Sequence, residues 1–231
     1  GVQLADVGGG SLHAVIGLLA AVVARQHSGV GQYLDVSMSD CAMSLNAMAG
    51  AGYLACGVEP GPEQQMLNGG SFYDYYRSRD GRWLSVGSLE PAFMQQLCVA
   101  LGRPELAARG LSPEPQQQQA LKAELQIEFE KHDFAALCER FAAVDACVEP
   151  VLSLGEAFAH PQFSARQMTC EVPRADGTTQ TQMACPLKFS QPLPEPRHIG
   201  VAVGAHSDQV LAELGLSEQR IAQLRAANVV G

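Results

Sequence analysis

The sequence predicts a mixed fold of the α/β and α+β classes, and three observations carry that expectation. The first 56 residues read helix–strand–helix. Two Asp-Gly turns, in Arg79-Asp80-Gly81 and Arg174-Ala175-Asp176-Gly177, sit between short β-prone runs. A proline-rich stretch then leads into a helical tail. A chain in this order leaves one domain, builds a second and returns, so its first and last pieces share a domain. The expected boundaries are 1–56 for part of a large domain, 57–70 for a linker, 71–187 for a small α+β domain with antiparallel hairpins, and 188–231 for the return segment and terminal helices.

Each element has a local cause. Ser11 is placed to cap an apolar helix over 12–27, which the glycines at 29 and 31 end. Residues 32–38 alternate as a strand does. Ser39 or Asp40 caps a second helix over 41–55, dense in Met, Leu and Ala. A stretch rich in Gly, Pro and Gln crosses to the next unit. There, runs 71–77 and 82–87 flank the first Asp-Gly turn, and Phe72, Tyr73, Tyr75 and Tyr76 are expected to fill the core of a small sheet. Pro91 opens a helix over 91–101. Residues 102–119 read as loop, with the glutamines at 116–119 solvated. Helices are expected over 120–131 and 133–143, the latter capped by Asp133. A strand at 146–151 and a helix at 154–159 follow, the helix stopped by His160-Pro161. A second hairpin pairs 169–172 with 178–184. Helices over 206–214 and 217–227 close the chain, with Ser217 capping the last.

Composition narrows the function classes. At 231 residues, 47% hydrophobic and 17% charged, the chain is globular and long enough for a sizeable core. A net charge of −9 makes it a poor candidate for nucleic acid or an anionic membrane, although a local basic site can still hold an anionic ligand. The apolar run 12–24 is too short to span a bilayer and reads as a buried helix. Seven cysteines with no CxxC read as the reduced thiols of a cytoplasmic protein, with no metal site. No Walker loop, GxGxxG, HExxH or GxSxG occurs.

Two carboxylates stand out. Asp6 precedes Gly8, Gly9 and Gly10 at a helix entrance. Asp-Gly stretches usually cap or solvate a loop. Here the glycines also let a substrate lie against bare backbone, and helix-start amides stabilise an oxyanion. Glu90 follows a strand and precedes Pro91. A first-turn acid favoured by the helix dipole is its commoner role, and an acid that orients a histidine is the functional one. His13 reads as a core histidine and His160 as a helix stop. Arg77, Arg79 and Arg82 around the hairpin are able to meet phosphates, but exposed hairpin charges are usually solvated.

Asp6-Val7-Gly8-Gly9-Gly10-Ser11, with Ser28-Gly29-Val30-Gly31-Gln32-Tyr33-Leu34-Asp35-Val36-Ser37-Met38, resembles the family III CoA-transferase superfamily. Met66-Leu67-Asn68-Gly69-Gly70-Ser71-Phe72-Tyr73, Val86-Gly87-Ser88-Leu89-Glu90-Pro91 and Asp145-Ala146-Cys147-Val148-Glu149-Pro150 are similar to its alpha-methylacyl-CoA racemase branch. The resemblance implies a Rossmann-like large domain, of which this chain holds a remnant, and a small α+β domain. It implies an interlocked homodimer with the active site between the large domain of one subunit and the small domain of the other. It also implies an acyl-CoA substrate from fatty acid metabolism and no cofactor beyond the CoA of that substrate. Asp6 matches the family's acid/base Asp, Glu90 matches a Glu that supports a catalytic His, and Gly8, Gly9 and Gly10 lie near the thioester. That His lies upstream of the motif in the family, and His13 does not take its role. The chain therefore reads as the C-terminal portion of a longer enzyme, with little activity alone. In the transferase branch the matching Asp instead attacks the thioester and becomes an acyl anhydride. A truncated, non-catalytic paralogue is the third reading.

Overall fold

A computed structural model describes residues 1–67 and 69–230. It is mixed α and β, with two small antiparallel sheets, and divides into two compact units, Gly1–Val151 and Leu152–Gly231.

The first unit opens on a π-helical turn, Leu4–Ser11, that runs unbroken into α1, Leu12–Ser28. Ser11 therefore does not cap. Its backbone is already right-handed helical, and its hydroxyl donates to the Asp6 carbonyl. Gly29, at φ +75°, ends α1 where a left-handed residue was expected. The expected strand over 32–38 does not form. No strand lies beside that stretch among the described residues, and a segment without a ladder partner is not a strand. Ser37 instead caps α2, Met38–Leu45, by accepting from the Asp40 amide. The single helix expected over 41–55 is divided at Asn46, beyond which α3 spans Ala47–Cys56.

The expectation of a buried first helix is overturned. No residue of α1 is buried. The continuous helix Leu4–Ser28 has 25 residues and contains an 18-residue window of mean hydropathy 1.9, which by length and composition alone suffices to cross a membrane. Its glycines nonetheless face this chain's own side chains. A Cβ on Gly17 would come within 2.9 Å of Leu34 Cδ2, and one on Gly10 within 2.9 Å of Met38 Cγ.

The core of the first unit lies further along. β1, Asp74–Arg77, and β2, Trp83–Val86, form the expected hairpin, with Arg77 opposite Trp83 and Gly81 at φ +84° in the turn. β3, Val148–Pro150, joins the other side of β2. The period of two aims Phe72, Tyr76, Leu84, Val86 and Val148 inward. Tyr75 points out, so the tyrosines do not all fill the core as expected. Three helices cover the inner face: α4, Pro91–Ala100; α5, Pro115–Phe129; and α6, Phe134–Ala142. Tyr76, Phe129 and Phe141 stack in series at centroid spacings of 4.9 and 5.7 Å.

Two expectations fail here for tertiary reasons. The glutamine run is not a loop, although Gln116, Gln117 and Gln119 are solvent-exposed as expected. It forms the first turns of α5, and Gln118 lies on the face of Leu121, Leu125 and Phe129, only 5% exposed. Asp133 occupies the N-cap position of α6 without capping it. Its carboxylate takes a two-point ion pair from Arg79, while Asp80 from the hairpin turn accepts the Phe134 amide at 2.9 Å. Arg82 lies over the Phe134 ring at 3.6 Å. Arg79 and Arg82 thus bind their own domain.

The second unit starts with α7, Leu154–Ala159, entered through a capping box between Ser153 and Glu156. His160 ends α7 and also starts α8, Pro161–Ala165, its Nδ1 accepting the Gln162 amide. β4, Thr169–Pro173, and β5, Thr179–Met183, form the second expected hairpin. After an irregular stretch come α9, Ser207–Glu213, and α10, Glu218–Ala226. Ser217 caps α10, and an Arg225–Asp208 ion pair joins the two helices.

Candidate active site

Asp6 sits in the π-helical turn at the head of α1 and is exposed. π-turns are rare and recur at functional sites, because the extra residue widens the turn and frees backbone groups. Among the described residues no side chain engages the Asp6 carboxylate, and only its backbone carbonyl is used, by Ser11. The three glycines differ in what they face. Gly9 is buried, and a Cβ there would lie 3.5 Å from the α2 backbone at Ala42 and Met38. A Cβ on Gly10 would strike Met38. One on Gly8 would make only ordinary contact, 3.4 Å from Leu4 and 3.8 Å from Leu45. Of the three, only Gly10 would be crowded by a Cβ, while Gly9 is buried against α2 at ordinary contact distance. His13, half-buried, holds Nδ1 2.9 Å from the Gly8 carbonyl oxygen.

Glu90 is the N-cap residue of α4. Its side chain makes no capping bond and is exposed, so the acid is not spent on the helix start. The turn that carries it is tightly held. The Gly87 amide donates to the Cys147 carbonyl at 2.8 Å, and the fully buried Ser88 hydroxyl donates to the Ala146 carbonyl. Burial raises the Cys147 thiol pKa, and the carboxylates of Asp145, Glu90 and Glu149 add to the shift. No hydrogen bond or ion pair among the described residues joins Asp6 to Glu90.

A cavity of about 860 Å³ opens next to Leu89, the neighbour of Glu90, with Met66, Gly70, Ser71, Gln118 and Lys122 among its walls. That volume suits a small-molecule ligand. Gln118, which the sequence reading left in a solvated loop, ties these walls together. Its Oε1 accepts the Phe72 amide, and its Nε2 donates to the Gly110 and Ser112 carbonyls at 2.8 and 2.9 Å. The spacing 118, 121, 125, 129 was the available signal, since it puts Gln118 on the apolar stripe of α5. Lys122 also was not singled out. Its ammonium bridges the Gly69 carbonyl and the Asp74 carboxylate. Among the described residues no group of three or more His, Cys, Asp or Glu is placed to hold a metal ion.

The family model for CoA-transferase family III matches residues 1–207, and the chain belongs to that family. It is 32% identical to alpha-methylacyl-CoA racemase of Mus musculus over 98% of this chain and 59% of the relative. It is 28% identical to succinate–glutarate CoA-transferase of Agrobacterium fabrum over 95% of this chain and 55% of the relative. The solved structure of a CaiB/BaiF family protein from Brucella suis matches with a TM-score of 0.69 and 25% identity, over 93% of this chain and 56% of that one. The chain thus spans little more than half the length of the relatives it matches. The family is enzymatic and includes both racemases and transferases acting on CoA thioesters.

Proposed function

We propose that the protein carrying this chain is a racemase that interconverts the epimers of 2-methylacyl-CoA thioesters. The observation that supports this reading most is the likeness to alpha-methylacyl-CoA racemase along 98% of the chain. In it, the Asp6 carboxylate exchanges a proton with the α-carbon. The α-proton of a thioester is weakly acidic, so one group must remove it and another must return a proton from the opposite face. Charge that gathers on the thioester oxygen needs hydrogen-bond donors, and the backbone at Gly8 and Gly10 is part-exposed beside Asp6. The partner base is a histidine outside this chain, and Glu90 supports it.

In this reading the site is completed in a homodimer, between the large domain of one subunit and the small domain of its partner. Residues 1–56 and 188–231 belong to the Rossmann-like large domain. The apolar residues of α1, none of them buried, support burial in a larger assembly. Seven unbridged cysteines fit a cytoplasmic enzyme, and the proposed proton exchange calls for no cofactor besides the CoA of the substrate.

The test is incubation of the complete protein with one epimer of a 2-methylacyl-CoA in deuterated water. Epimerisation with deuterium entering the α-position is expected, and no uptake on prolonged incubation removes the reading. The likeness to succinate–glutarate CoA-transferase favours a second reading, in which Asp6 attacks the thioester, expels CoA as thiolate and holds the acyl group as an anhydride. Hydroxylamine then traps an adduct on Asp6, and CoA exchanges between carboxylic acids.

A further inference from the structure

The Glu90 carboxylate makes no capping bond, and only its backbone carbonyl is held, by the Met94 amide at 2.9 Å, yet the turn beneath it is fastened twice to a loop nearly sixty residues away. The Gly87 amide donates to the Cys147 carbonyl at 2.8 Å. The Ser88 hydroxyl, wholly buried, donates to the Ala146 carbonyl at 2.5 Å. The acceptor loop departs from ordinary backbone to make this possible. Cys147 has φ +50°, the left-handed region that a residue with a side chain rarely adopts. Just beyond it, Val148 pairs with Val86 in the sheet, so the loop is anchored immediately after the strained residue. Ala146, 1% exposed, is anchored in the core immediately before it.

We infer that Ser88 and the left-handed Cys147 backbone form a clamp that positions Glu90. The reasoning is geometric. Glu90 is the junction between β2 and α4, and Pro91 fixes the helix side of that junction. On the strand side, the Leu89 amide closes the turn onto the Gly87 carbonyl at 2.9 Å and Leu89 packs on the core, and the two bonds to residues 146 and 147 tie that turn to the neighbouring loop. Ser88 is therefore a positioning residue, acting through Glu90. The functional half of this inference rests on the reading of Glu90 as a site carboxylate. The clamp itself does not.

The experiment is amide hydrogen exchange by NMR on Ser88→Ala, Cys147→Val and Cys147→Gly, paired with α-deuterium turnover in the complete protein. Ser88→Ala is expected to speed exchange at Gly87 by about tenfold, the worth of one ordinary hydrogen bond, while the Tyr76 and Leu84 amides stay as slow as before. Cys147→Val, which is β-branched and disfavours φ +50°, is expected to do the same. Cys147→Gly adopts that angle freely and keeps Gly87 protected. In turnover, Ser88→Ala is expected to lower kcat by about tenfold with KM little changed, as for a group whose placement matters in the transition state. Unchanged Gly87 exchange in Ser88→Ala overturns the clamp. So does an equal rise at Gly87, Tyr76 and Leu84, which reports general loosening. If the parent protein takes up no deuterium, the racemase reading fails while the exchange result still decides the clamp.

Discussion

Gln118→Leu isolates the most connected polar side chain in the first unit. The substitution is close in size but removes an acceptor and a donor at a position only 5% exposed. The Phe72 amide, in a residue wholly shielded from solvent, loses its partner, and the Gly110 and Ser112 carbonyls lose theirs. A stranded buried donor costs about 1–3 kcal/mol, while the carbonyls beside the cavity recover part of their loss from water, so the sum is about 2–4 kcal/mol. With an urea dependence of about 2 kcal/mol per molar, the unfolding midpoint is expected to fall by about 1–2 M. Gln118→Glu sharpens the test. It keeps an acceptor for the Phe72 amide but sets a buried negative charge against two carbonyl oxygens. It is expected to be at least as unstable near neutral pH and to regain stability on acidification, as the new carboxyl protonates. A loss within about 0.5 kcal/mol for Gln118→Leu, the range of an ordinary surface change, would refute the view that this side chain holds the cavity walls together.

Glu128 is nearly buried, and Lys131 followed by Arg103 holds its carboxyl below the usual carboxylate range. Its folded-state pKa is depressed, so the stabilisation is complete above the unfolded carboxylate value and is lost as pH falls through the folded one. Glu128→Gln is expected to flatten the acid limb of stability below about pH 4.3, read as urea midpoints across pH, and an identical acid slope in both proteins would contradict the ion-pair assignment. At Cys147, burial and then the Asp145, Glu90 and Glu149 carboxylates raise the thiol pKa. Glu90→Gln removes one of those charges, lowers the thiol pKa and is expected to speed iodoacetamide alkylation of Cys147 by about twofold at pH 8 in moderate salt. An unaltered rate would place Glu90 too far from the thiol to matter.

The elements legible in the sequence are those whose cause is local. Both hairpins follow from Asp-Gly turns, and Gly81 and Gly177 take the positive φ such turns need. Gly29 at the end of α1, Pro91 at the start of α4 and Ser217 at the start of α10 act within one helical turn. What sequence missed was decided at a distance. Residues 32–38 alternate like a strand, but alternation supplies no partner. Asp133 has the right type and place to cap α6, yet Arg79 captures its carboxylate and Asp80, over fifty residues upstream, caps instead. The glutamine run looked solvated because polarity was read without helical phase, and phase puts Gln118 inside. The Ser11 cap failed because the helix had begun earlier, at Leu4.

For the site, residue type and neighbours singled out Asp6 and Glu90, and both lie within the stretch 1–207 that the family model matches. Sequence did not reveal the π-helical form of the Asp6 turn, the close approach of Met38 to Gly10, or the bonds from Gly87 and Ser88 that hold the Glu90 turn. These depend on which segment lies against which, and no single stretch of residues encodes that.

The most direct test of the proposed chemistry compares α-deuterium uptake into a 2-methylacyl-CoA by the complete protein and by its Asp6→Asn variant, which keeps the side-chain shape and removes the exchangeable carboxyl proton. Loss of uptake by about 10²–10⁴-fold, the usual weight of a positioned acid/base group, is the expected result. Uptake at the parental rate would contradict any role for Asp6 in moving the α-proton.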